Sequence, residues 1–248
     1  MKKTIGEDTM RLSEEVIRTS GSTLLCSDLS CKELFCQGST KCPGNVTVRG
    51  AAHVSGATSI GGDFCCASLQ SVGSLHIKGT LKAESIDCGG NFLCDGALAA
   101  TKLQSCGSFS AKQTVRANTI TAQGSFSAGG DVFAEAFLKL SMSAPVRLKK
   151  VESETVVLQP QRDTKRRLIL MERVFARKMA PIFTVEEISA QNAEVSFAKV
   201  GIIRANTVQI GQNSVVDLVF YSDTLLIDQS AKVREVHRIT EQTAQGVG

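Results

Sequence analysis

Tryptophan is absent from this 248-residue chain, tyrosine occurs once and proline only four times. No stretch approaches the roughly 20 consecutive apolar residues that an α-helical membrane span requires. The first residues, MKKTIGEDTMRLSEE, place two lysines ahead of acidic and polar residues with no apolar run behind them, so a secretory leader is not expected. There is no Walker loop, no HExxH and no nucleophile elbow, and three histidines are too few and too scattered for a metal or acid–base centre. Nothing in these absences favours an enzyme. Charged residues at 21% and apolar residues at 42% also exclude a disordered polyelectrolyte.

A repeat dominates what is present. From Phe64 the large apolar residues fall at Leu69, Leu75, Leu81, Ile86, Phe92, Leu98, Leu103, Phe109, Val115, Ile120, Phe126, Val132 and Phe137. The intervals cycle through 5, 6 and 6, a 17-residue period. A helix would give spacings of 3 and 4. Two places after most of these residues stands a small one, such as Ala83, Cys88, Cys94, Ala111 or Ala122, and that alternation marks short strands with one buried face. Three strands to each period, turn stacked on turn, make a parallel three-sided β-solenoid.

Each inward position should then form a column through the coil. Leu69, Ile86, Leu103, Ile120 and Phe137 make one, and Phe92, Phe109 and Phe126 part of another. Gly56, Gly73, Gly90, Gly107 and Gly124 recur with the same period between strands, as a corner requiring positive φ or no Cβ would demand. The corner holding Glu84, Thr101 and Asn118 needs no glycine. Upstream, Leu24/Cys26, Leu29/Cys31, Phe35, Val46/Val48 and Val54 read as earlier rung positions.

The resulting organisation is a cap or frayed turn over 1–20 and a main solenoid over 21–143. A basic β segment of another kind follows over 144–181, then a second solenoid block over 182–240 and a loose tail over 241–248. The second block rests on Val185, Ile202, Val219 and Val236, and on Val208/Leu225 and Ile210/Ile227, all repeating with that period.

Two clusters carry possible chemistry. Cys26, Cys31, Cys36 and Cys42 could supply four thiolates to zinc, but their spacing only partly meets the usual pairing. In the solenoid register Cys88 and Cys94 fill slots otherwise taken by Ala or Ser, so core packing is the plainer reading, with Cys65 facing outward. Neither a metal nor a cofactor is expected. The second cluster is the interval 147–178, which holds ten basic and four acidic residues, a net +6 in a chain of net +4. Arg162, Lys165, Arg166, Arg167, Arg177 and Lys178 are its candidate contacts to an anionic membrane surface or an acidic protein. Nucleic acid is disfavoured, since Phe175 is the only aromatic there.

Gly-cornered rungs such as GSLHIKGTLKAESI and GSFSAKQTVRANTI resemble the solenoid of the bactofilins, polymer-forming cytoskeletal proteins of bacteria. The segment VEEISAQNAEVSFAKVGIIRANTVQIGQNSVVDLVFYSDTLLID resembles the C-terminal part of the longer members from Gram-positive bacilli. The resemblance implies a non-enzymatic cytoplasmic protein, associated with cell shape, wall synthesis or motility. It also implies assembly with itself, without a nucleotide. Physics offers a route: a terminal rung presents unpaired N–H and C=O groups, to which another copy can add its own end rung. The alternative is a monomeric adaptor that docks through the basic segment.

Overall fold

The computed structural model describes residues 3–4, 16–25, 27–161 and 181–239. Among them every regular element is a β-strand and the strand pairings are parallel. The strands stack as a β-solenoid of about 12 turns. One inward column runs without a break from Leu29 through Val46, Phe64, Leu81, Leu98, Val115, Val132, Val151, Ile188, Ile203 and Val219 to Val236. A second runs from Ile17 through Leu34, Ala52, Leu69, Ile86, Leu103, Ile120, Leu138, Val156, Ala193 and Val208 to Leu225.

The third side changes character along the coil. Its column begins as Thr23, Thr40 and Thr58, turns to Leu75, and becomes Phe92, Phe109 and Phe126. The phenyl rings lie 5.0 and 5.1 Å apart, tilted by 7° and 8°. That separation is set by the rung spacing of about 4.8 Å, and it puts the rings in the offset-stacked arrangement. All three are buried, and each side chain contributes on the order of 3 kcal/mol through removal from water. Further on, Leu148, Val185, Val200, Val216 and Val233 form an aliphatic third column.

The corner glycines are required for a reason that the stacking makes specific. At Gly107 a Cβ would lie 2.1 Å from the carbonyl oxygen of Gly90, the same corner one rung below, and the relation repeats from Gly56 to Gly107. Proximity of successive backbones, rather than left-handed φ, excludes a side chain there. Only Gly124 in this set has positive φ, at 98°. At the other kind of corner the strands Leu81–Cys88 and Leu98–Ser105 run straight through Glu84 and Thr101, so no glycine is needed.

Four expectations change. Leu138, not Phe137, continues the column above Ile120, because one extra residue enters the rung after Ala134 and moves Phe137 to the half-buried outer row opposite Thr119. Near the start of the chain Leu25 and Leu34 point inward, whereas Leu24 and Phe35 point outward. A slip of one residue inverts a strand's faces. In the C-terminal part Val185 pairs with Val200 and Ile203 with Val219, so the evenly spaced series Val185, Ile202, Val219 is not a column. Ile202 instead sits beside Glu187. Finally, Val146–Pro160 pairs with Val132–Met142 on one edge and with Phe183–Val195 on the other. The first half of the basic interval is therefore a rung of the coil. Its second half, residues 162–180, lies outside the described residues.

Candidate assembly surface

Outward side chains on successive rungs form ladders, and the strongest ladder caps backbone donors. The Asp28 carboxylate accepts from the Asn45 N–H at 3.0 Å, Asn45 Oδ1 from the Asp63 N–H at 2.8 Å, and Asp63 Oδ1 from the Thr80 N–H at 2.7 Å. The bond from Thr80 holds the Asp63 carboxyl below its ordinary value. This corner ladder is invisible as a motif, because its acceptors Asp28, Asn45 and Asp63 share only a short side-chain oxygen.

The three histidines project outward as expected, and each has a neighbour one rung away. The His76 ring lies 3.1 Å from Asp95, which also binds Lys112 at 2.9 Å. Those two partners keep the Asp95 carboxyl below its usual range, with the Lys112 hydrogen bond the larger cause. His53 stacks on Phe35 at 4.9 Å, and the Arg18 guanidinium also lies over that phenyl ring. His237 stacks on Phe220, which Arg204 overlies, while Arg204 is paired with Glu187. Every group in these ladders is spent on its neighbour.

The cysteines divide by address. Cys88 and Cys94 are fully buried small fillers, and Cys65 is exposed. Burial pushes the Cys88 and Cys66 thiols up to about 12 and the Cys31 and Cys94 thiols up to about 11, so all four are protonated at neutral pH. Cys31, Cys36 and Cys42 are each the inward residue of a different column, below Val48, Val54 and Ile60 respectively. Cys26 lies outside the described residues. No group of three or more His, Cys, Asp or Glu side chains suited to a metal occurs among the described residues.

The ends of the coil differ. Val219 and Ile210 are 0% and 1% exposed, yet their counterparts one rung on, Val236 and Ile227, are 43% and 45% exposed. The outer edge of Lys232–Arg238 faces no other strand among the described residues. At the other end Ile17, Thr19, Thr23 and Leu25 are buried, and Lys3–Thr4 already pairs with Thr23–Leu24. Sequence reasoning expects a cap or frayed turn over 1–20 and a loose tail over 241–248, without saying how much of either terminal rung stays exposed. Composition does not separate the two ends, since two of the three columns begin at Ile17 and Leu29, as apolar as Leu225 and Val236 at the other end.

Of the residues singled out from the sequence, Leu69, Ile86, Leu103, Ile120, Phe92, Phe109 and Phe126 all lie in the core. Arg162, Lys165, Arg166, Arg167, Arg177 and Lys178 fall outside the described residues. Among the described residues no helix is long and apolar enough to cross a membrane. Comparison with protein-family models, with curated proteins and with solved structures finds no match to this chain.

Proposed function

We propose that this protein is a non-catalytic structural scaffold that associates with itself through the end of its solenoid, without a nucleotide. The observation that carries the reading is the last rung, which no further rung covers among the described residues. Ile227 and Val236 continue columns that are fully buried one turn earlier, and the outer edge of Lys232–Arg238 has no strand beside it among the described residues. An added rung from a second copy would pair that edge and cover both side chains, each contributing on the order of 1 kcal/mol for the exposed half removed from water. The driving force is edge pairing plus burial, so no energy source is needed. A bactofilin-like role as a cytoskeletal scaffold for cell shape, wall synthesis or motility fits a rigid rod of this kind.

The test is light scattering of purified, nucleotide-free protein over a range of concentrations, with electron microscopy of the same samples. Growth of the scattering mass with concentration, unaffected by added nucleotide, supports the reading. A monomer throughout would overturn it.

A further inference from the structure

We infer that a groove along the outside of the coil binds an extended, uncharged glycan chain. The inference is independent of how the ends of the coil associate. Three cavities of about 550, 270 and 460 Å³ follow one another along the corner of Glu84, Thr101 and Asn118. The first and second share Ala99, Ala100 and Thr101, and the second and third share Arg116, Phe133 and Glu135, so the three are one continuous groove. It crosses eight successive rungs from Thr47 to Gln191, a length of about 34 Å at the rung spacing of about 4.8 Å. A site of that shape suits a linear polymer, not a compact ligand.

The floor consists of small side chains. Ala83, Ala100, Ala117 and Ala134 stack in register, followed by Ser153 and Ala190. This is an apolar track on which the C–H face of a pyranose ring can lie. A β-linked chain advances per ring by nearly the distance between rungs, so successive rings meet successive small residues. The walls supply guanidinium, carboxylate and amide groups, each with two hydrogen-bonding atoms in one plane, which suit neighbouring sugar hydroxyls. Among the described residues Glu84, Asn118, Glu135 and Gln191 take no hydrogen bond or ion pair, unlike Asp95 and His76 on another face.

Charge decides among linear polymers. Arg49, Lys82 and Arg116 line the groove together with Glu84, Glu135, Glu152 and Glu154. Lys150 pairs with Glu152 at 3.2 Å, which leaves three acidic against three basic groups. A polyanion would meet the carboxylates and a polycation the basic groups, and either juxtaposition of like charges is costly. An uncharged chain meets neither penalty. A single-stranded nucleic acid also needs an aromatic face for its bases, and the Arg116 guanidinium already lies 4.2 Å from the Phe133 ring centroid. A peptide cannot add as a strand, because the inner rungs of the groove are paired on both edges.

Isothermal titration calorimetry of the full chain tests this. The probes are linear β-linked oligosaccharides of glucose, N-acetylglucosamine and mannose, with dextran sulfate and polylysine as charged competitors. The expected result is binding of at least one uncharged series, tightening from disaccharide to hexasaccharide and unaffected by salt, since no net charge is neutralised. Ala99→Trp, at an exposed position in the middle of the groove, should weaken binding at least tenfold. Gln104→Trp, exposed on the neighbouring face, should leave it unchanged. Thermal melting checks the fold of each variant. Where Ala99→Trp melts early, Thr101→Trp repeats the block from another exposed position lining the groove. Failure of all three uncharged series to bind would overturn the inference. So would binding that survives both blocking variants, or tighter, salt-sensitive binding of either charged probe.

Discussion

The stretch from Val46 to Ala128 and the stretch from Phe183 to Arg238 build the same coil by different means. In the first, a glycine corner interrupts every turn before Val115–Ala128, which runs on through Gly124, so that a short strand such as Ser74–Ile77 alternates with a longer one such as Leu81–Cys88. In the second, single strands run round all three sides, as Phe183–Val195 and Ala198–Ile210 do. Their inward residues Phe183, Ile188, Ala193 and Ala198 step by five, the same step that lets Leu81–Cys88 pass through Glu84 without a glycine. The longer steps of the first stretch are the ones that bring successive backbones together at glycine. The difference teaches which constraint is essential. Three inward apolar columns persist in both stretches, whereas turn length and corner chemistry vary.

The largest expected effect comes from attacking a column itself. Phe109→Asp should unfold the first stretch, and Phe109→Ala should cost about 3–5 kcal/mol by leaving a cavity between Phe92 and Phe126, read from chemical denaturation. Next comes the corner. Gly107→Val should cost about 2–3 kcal/mol, because its Cβ would overlap the Gly90 carbonyl and the stacked backbones must part. Asn118→Val, at the corner where the strand runs through, should cost less than about 0.5 kcal/mol. Equal tolerance of the two would erase the distinction between corners. In the second stretch Asn213 adopts a left-handed φ of 53°. Asn213→Val should cost about 1 kcal/mol, since a β-branched residue resists that conformation, and Asn213→Gly should be close to neutral. Both are read as shifts in the denaturation midpoint.

The smallest effect is electrostatic. The Asp63 carboxyl lies below its ordinary value of 3.8 because it accepts the Thr80 N–H. A depressed folded-state pKa gives stability that is present above the unfolded pKa and lost as pH falls through the folded one. Asp63→Asn keeps an acceptor, as Asn45 does one rung below, but removes the titration. It should leave the melting temperature at pH 7 almost unchanged and flatten its decline below pH 4. A steeper decline in the variant would mean that Asp63 is not the capping acceptor.

From Phe64 to Ala128 the first stretch can be read almost rung by rung from sequence, because the pairings there keep a constant offset of 17 residues. Leu69, Ile86, Leu103 and Ile120 announce their column by spacing alone. Spacing fails wherever a residue is gained or lost. One extra residue after Ala134 places Leu138 where the spacing predicts Phe137, and both are large and apolar, so hydrophobicity cannot decide between them. In the second stretch Ile202 and Ile203 are adjacent, and a comb of fixed period selects the wrong one. Charge sets Val146–Pro160 apart in the sequence, yet Arg147, Lys149 and Glu152 point outward from a rung whose inward residues, Val146, Leu148 and Val151, are those of any other turn. The end of the coil is legible as an idea but not as a direction. How much apolar surface an end leaves exposed, as at Ile227 and Val236, is seen only once the register is known.

The central claim is that the C-terminal rung is the adhesive surface, and hydrogen exchange tests it most directly. Backbone amide protection is measured by mass spectrometry on the full chain at low and high protein concentration. The account predicts that protection over Lys232–Arg238 rises with concentration while an interior strand such as Leu98–Ser105 stays constant. Protection over Lys232–Arg238 that stays flat with concentration would contradict it.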